Sequence, residues 1–293
     1  MPTKSDKDQY QGRATTGHDW DGIQELNNPL PKWWLYVLYA CIAWSIVIFV
    51  LYPSVPGLKS YWPGTLGYTQ NQELAASIEQ ANLLQGPYLK RIDAEPLETI
   101  RADQDLAAFA IAGGRTLFGE NCAACHGQGG AGRAGYPSLA DDDWIWGGTL
   151  AQVQQTILFG VRSAHDKTRL SEMPKYGIDK VLTSAQIADV TEFVLALSKS
   201  THDAKAAERG GPLYAENCVA CHGAAGEGNR ELGAPVLSDR LWLYGGDRGA
   251  IARQIANPRQ GVMPAWSGRL SEPTIKMLSI YVHSLGGGEK SEK

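Results

Sequence analysis

Residues 114–127 read GRTLFGENCAACHG, and residues 210–223 read GGPLYAENCVACHG, an offset of 96 positions. Past a two-residue insertion the similarity resumes at an offset of 98, where YPSLADDDWIWGG (136–148) aligns with APVLSDRLWLYGG (234–246). Both copies then reach a Met-Pro pair, Met173-Pro174 and Met263-Pro264. Each closes on apolar residues at helical spacing: Ile187, Val190, Val194 and Leu197 behind Thr183, and Ile275, Leu278, Val282 and Leu285 behind Ser271. Internal duplication at this period predicts two homologous, mainly helical domains, spanning 106–200 and 204–288.

Each repeat carries Cys-x-x-Cys-His: Cys122, Cys125 and His126, then Cys218, Cys221 and His222. This spacing is the attachment signature of c-type haem. Two thiols one helical turn apart can add across the two vinyl groups of a porphyrin, and the histidine that follows presents its imidazole to the iron. A four-cysteine zinc module fits poorly, because Cys125 and Cys218 are 93 positions apart. A thioredoxin-like dithiol needs a βαβ setting, and alternating strand patterns are missing. The expectation is two covalently bound haem c groups.

An iron held by one histidine needs a sixth ligand. Met173 follows His126 by 47 residues and Met263 follows His222 by 41, which makes the two methionines the axial candidates. A thioether favours ferrous iron and raises the potential. Met277 lies on the last helical stretch with no proline after it and reads as core filling. His165, His202 and His283 have no repeated setting and read as surface or half-buried histidines. Trp144, Trp146, Trp242 and Tyr244 are expected to pack against the porphyrins or the domain cores. With both axial positions filled the iron cannot bind substrate, so one-electron transfer is favoured over catalysis, and no catalytic centre is expected in the chain itself.

Upstream, Trp33–Tyr52 (WWLYVLYACIAWSIVIFVLY) holds no ionisable side chain other than Cys41 and the tyrosines. Twenty residues of helix span about 30 Å, the thickness of a hydrocarbon core. Trp33, Trp34 and Tyr36 at one end and Tyr52 and Trp62 at the other suit the interfaces. A cleaved signal peptide is disfavoured, since 32 mostly polar residues precede the run and no small-residue cleavage site follows. Lys4, Lys7, Arg13 and Lys32 place the N-terminal segment, 1–32, on the cytoplasmic side. A span without Asp, Glu, Lys, Arg or His carries no proton path, and Cys41 reads as a packing residue. Residues 53–105 form a membrane-proximal connector, helical around Leu74–Leu84.

The 293-residue chain has a formal charge of −4. Residues 1–105 hold 8 basic and 12 acidic groups, 106–199 hold 8 and 9, and 200–293 hold 11 and 10. No segment is basic enough for nucleic acid. The fold class expected is all-α: one N-terminal transmembrane helix, 33–52, followed by two tandem class I cytochrome c domains.

The stretch HDWDGIQELNNPLPKWW (18–34), the single span ending at Tyr52-Pro53 and the tandem haem motifs together resemble the dihaem, membrane-anchored subunit family (CcoP or FixP) of the cbb-type cytochrome c oxidases. The resemblance covers essentially the whole chain. It implies a subunit that takes electrons from a donor cytochrome c and passes them, through a monohaem subunit, to the haem–copper centre of a catalytic subunit. It also implies a bacterial inner membrane, with the haem domains periplasmic. Chain proximity pairs Met173 with the first haem, whereas the resemblance implies that Met173 and Met263 are exchanged between the two. A free-standing anchored dihaem carrier and a dihaem peroxidase-like enzyme are the alternatives; the second needs a displaceable ligand, and both repeats keep their Met-Pro pair.

Overall fold

A computed structural model describes residues 14–290. Lys4, Lys7 and Arg13, on which the expected orientation leans, lie outside the described residues. The chain divides after residue 84 into two compact units.

The first unit opens with a feature absent from the sequence reading, an antiparallel hairpin of β1 (Thr15–Trp20) and β2 (Ile23–Leu26). Asp21 and Gly22 turn it with φ of 53° and 90°. Two central residues at positive φ are what a tight two-residue hairpin demands, and Asp-Gly is a favoured pair for it. Helix α1 (Lys32–Leu51) follows, one residue earlier than expected at each end, with no buried side chain along its 20 residues. Its length and composition suit a membrane span. Helix α2 (Gln70–Ala94) extends the helical connector well beyond Leu84, through Pro87, and runs across the division between the units.

In the second unit, α3 (Leu97–Ala102) ends the connector, and α4 (Gln104–Asn121), the one-turn α5 (Ala123–His126), α6 (Leu150–Phe159) and α7 (Ser184–Leu197) come from the first repeat. The second repeat supplies α8 (Ala204–Asn217), the one-turn α9 (Val219–His222), α10 (Arg248–Ala256) and α11 (Glu272–His283). Their packing does not follow chain order. α11 lies against α3, α4 and α6, and α7 lies against α8 and α10. Each lobe is thus closed by the last helix of the other repeat. The ranges 106–200 and 204–288 delimit sequence repeats, not lobes. The cause is the connection from Leu197 to Ala204. Six residues join α7 to α8, and so short a link makes the two helices antiparallel neighbours. That leaves α4 to be covered by α11.

Glycine makes both crossings close. A Cβ on Gly114 of α4 would overlap the backbone of Met277 in α11, and one on Gly210 of α8 would overlap the backbone of Asp189 in α7. Behind the first crossing sit Ile92, Ile100, Leu106, Ala110 and Ile280, each fully buried, with Met277 in the same core as expected. Behind the second sit Leu182, Ile187, Val190, Val194, Tyr214, Ile251 and Ile255. The α7 start is the capping box that Thr183 suggested, with Gln186 as its second half. Ser271 occupies the N-cap of α11 but does not cap: its hydroxyl pairs with Thr274 Oγ1 instead, and Pro273 sits at the helix start.

Glu192 of α7 is a buried carboxylate that ties three segments of this lobe. It accepts from the Asp203 backbone N–H at 2.7 Å and from the Arg248 guanidinium, whose Nη2 lies 3.1 Å from Oε2. The Arg248 bond is the main influence holding its pKa below the ordinary glutamate value, opposed by desolvation. A carboxyl more acidic when folded contributes fully above the ordinary glutamate range, and its contribution disappears as pH falls through the depressed value. Glu192→Gln is therefore expected to lower the melting temperature near pH 7 and to flatten its fall on the acid side. Thermal denaturation across pH 3–8 reads this, and parallel curves for the two proteins would contradict it.

Candidate functional site

Both Cys-x-x-Cys-His segments fold alike. Cys122 ends α4 and begins the one-turn α5, with the His126 N–H donating to the Cys122 carbonyl at 2.9 Å. The next residue, Gly127, has φ of 77°. The second copy repeats this: His222 N–H to Cys218 O at 2.9 Å, then Gly223 at 76°. In each turn the first cysteine is half-buried and the second exposed, and none of the four is in a disulfide. Before any attachment, burial pushes the Cys122 and Cys218 thiols up to about 11.

The histidines are oriented by prolines aligned between the repeats. His126 Nδ1 lies 3.0 Å from the Pro137 carbonyl, and His222 Nδ1 lies 3.0 Å from the Pro235 carbonyl. A carbonyl only accepts, so Nδ1 carries the proton and Nε2 keeps its lone pair. Burial lowers both imidazoles below their usual pKa, more than the prolyl bonds raise them. Neutral rings with free Nε2 atoms beside paired thiols match the donor set of an iron porphyrin. Among the described residues no three His, Cys, Asp or Glu side chains gather as a metal cluster.

Each methionine packs against the same core as the turn of the opposite repeat. Met263 packs against the core of Phe118, Val153, Ile157 and Leu278, as do Cys122, Ala123 and Trp144. Met173 packs against the core of Val190, Tyr214 and Ile251, as do Cys218, Val219 and Trp242. Tyr176, three residues after Met173, donates its hydroxyl to Asn217 O at 2.6 Å, immediately before Cys218.

Trp144 and Trp242 cover Gly148 and Gly246 of their own repeats, while Trp146 covers Gly233 of the other. Tyr244 Oη accepts from the Gly261 N–H at 3.0 Å. His165 lies against the Phe159 ring and pairs with Asp166, His202 is exposed, and His283 holds Glu289 O at 2.8 Å.

One repeated signal went unread in the sequence. An arginine precedes each methionine by four residues, Arg169 before Met173 and Arg259 before Met263. Each guanidinium lies over the second aromatic ring of its own repeat's aligned pair: Arg169 is 5.3 Å from the Trp146 ring centre and Arg259 is 4.7 Å from that of Tyr244. Such contacts anchor a loop through cation–π attraction.

The fold and the two turns define a class, haem c-binding proteins with cytochrome c domains behind a single apolar helix. Family comparison agrees. Residues 111–198 match the cytochrome c family, 205–282 match cytochrome c oxidase, cbb3-type, subunit III, and 12–59 match the N-terminal domain of cytochrome oxidase-cbb3, FixP. Among curated proteins, the chain is 51% identical to the cbb3-type cytochrome c oxidase subunit CcoP of Azospirillum brasilense, over 98% of this chain and 99% of that one. It is 47% identical to subunit FixP of Bradyrhizobium diazoefficiens, over 99% and 100%, and 42% identical to subunit CcoP of Cereibacter sphaeroides, over the same shares. The chain belongs to the CcoP/FixP family of cbb3-type cytochrome c oxidase subunits.

Proposed function

We propose that this chain is the electron-entry subunit of its oxidase, holding two covalently bound haem c groups whose axial methionines are exchanged between the repeats. Cys122, Cys125, His126 and Met263 would hold one haem; Cys218, Cys221, His222 and Met173 would hold the other. The observation that carries this is the shared packing of Met263 with Cys122 and of Met173 with Cys218. When bound, haem c supplies one-electron chemistry, and thioether ligation favours its reduced form. The protein's own contribution is to fix the imidazole tautomer through Pro137 and Pro235 and to exclude water with the two cores, and Met173 and Met263 would complete the ligand sets. It has no catalytic centre of its own.

The subunit accepts electrons from a donor cytochrome c and passes them through the monohaem subunit to the haem–copper centre of the catalytic subunit. The N-terminal segment is cytoplasmic and both lobes are periplasmic, where haem is attached covalently; Lys32, at the start of α1, and the basic residues before it support this orientation. Purification from native membranes in mild detergent is expected to bring down a copper-containing subunit together with this chain. Its isolation alone, with two haems and no copper, would turn the assignment to a free-standing carrier.

A further inference from the structure

The two methionine loops are braced against each other by unlike means. Met263 sits in a short antiparallel bridge: its N–H donates to Val161 O and its carbonyl accepts from Val161 N–H, both at 3.0 Å. Among the described residues, Met173 has no such backbone neighbour. Its N–H donates to Gln260 Oε1 at 3.3 Å, and its carbonyl accepts from Gln260 Nε2 at 3.2 Å. A carboxamide carries one acceptor and a donor pair in the geometry of a peptide group. Gln260 thus offers Met173 the two bonds that a strand neighbour would offer.

Gln260 is itself held in place. The residue before it, Arg259, donates its N–H to Gln254 Oε1 at 3.1 Å and accepts from Gln254 Nε2 at 2.9 Å. Arg259 also reaches Tyr244 O at 2.9 Å. In the first repeat the position matching Gln260, three before the methionine, is Leu170, which is exposed and has no amide to offer. Each methionine is thus braced by the other repeat, but only Met173 by a side-chain amide.

We infer that Gln260 is a positioning residue for Met173, its side-chain amide substituting for a strand neighbour so that the thioether is held toward the second Cys-x-x-Cys-His turn. The inference rests on the reading that Met173 is an axial ligand there. A flexible thioether whose backbone is unpinned spends more time off the iron. Losing two hydrogen bonds of ordinary net strength raises that ligand-off population by about tenfold or more.

The test uses the full-length haem-loaded protein in detergent, with methyl-labelled methionine. Only four methionines are present, so the ring-current-shifted methyl signals of iron-bound thioethers in the reduced state can be assigned with Met173→Leu and Met263→Leu. In Gln260→Ala the shifted Met173 signal should lose intensity or broaden while Met263 is unchanged, and the carbon monoxide-reactive fraction of one haem should rise about tenfold. Gln260→Glu keeps the acceptor for Met173 N–H but loses the donor, and should fall between. Unchanged Met173 signal and carbon monoxide reactivity in Gln260→Ala overturns the inference. So does equal loss at both methionines, or a glutamate variant no better than alanine. Absence of a shifted Met173 signal in the unsubstituted protein marks instead a failure of the ligation reading, and takes this inference with it.

Discussion

Ile280→Asp, near the end of the chain, is expected to unfold the lobe of Cys122 while the lobe of Cys218 stays folded. Ile280 is fully buried in α11, among Ile92, Ile100, Leu106 and Leu150 of the first repeat's side. α11 as a whole inserts Ile275, Leu278, Ile280 and Val282 at 4% exposure or less. Each such side chain contributes roughly 1.5–3 kcal/mol by leaving water. An unpaired carboxylate at Ile280 forfeits that burial and adds a desolvation cost of several kcal/mol. The sum approaches the 5–15 kcal/mol by which a domain is typically stable. The mirror substitution, Val190→Asp in α7, strikes a residue of equal burial and should reverse the pattern. Pulse proteolysis followed by peptide mass mapping separates the two. New cleavage confined to 204–256 in the Ile280→Asp protein would refute the exchanged packing.

Met173→Ala should open one haem to carbon monoxide and lower its potential, on the order of 0.1 V within the roughly 0.8 V that axial ligands span. The affected haem should be the one on Cys218 and Cys221, since Met173 and Cys218 pack against one core. A second background decides the assignment. In a chain carrying Cys218→Ser and Cys221→Ser, only the haem of Cys122 and Cys125 remains, and adding Met173→Ala should leave it closed to carbon monoxide. If that haem opens instead, Met173 serves its own repeat. Redox titration gives an independent reading: Met173→Ala and Met263→Ala, each made in the otherwise unsubstituted chain, should displace different waves.

The chemistry of the sites was legible because it is local. Cys-x-x-Cys-His dictates a single helical turn, and the aligned Pro137 and Pro235, read in the sequence only as part of a repeat, prove to set the imidazole tautomers. Amphipathic spacing located α7 and α11 but could not say what they face, since Ile187, Val190 and Val194 carry the same pattern as Ile275, Leu278 and Val282. Burial periodicity names a face and never its neighbour. The six-residue link between α7 and α8 held that information. The hairpin was announced by Asp21-Gly22 between apolar residues, a signal that was present and passed over. Gln260 could not be found by motif at all, because its role depends on two loops 87 positions apart meeting in space.

The exchange of closing helices also sets an order on biosynthesis. The thiol of Cys125 is made 147 residues before α11 begins, and at about 5–20 residues per second the ribosome needs roughly 7–30 s to cover that distance. Until then the first turn has no lid, while the second, whose lid α7 precedes it, can shut as soon as its own loop is made. The earlier pair of cysteines thus stays accessible to the attachment apparatus longer than the later pair, and a chain broken off short of its last helix leaves a finished second site beside an unfinished first.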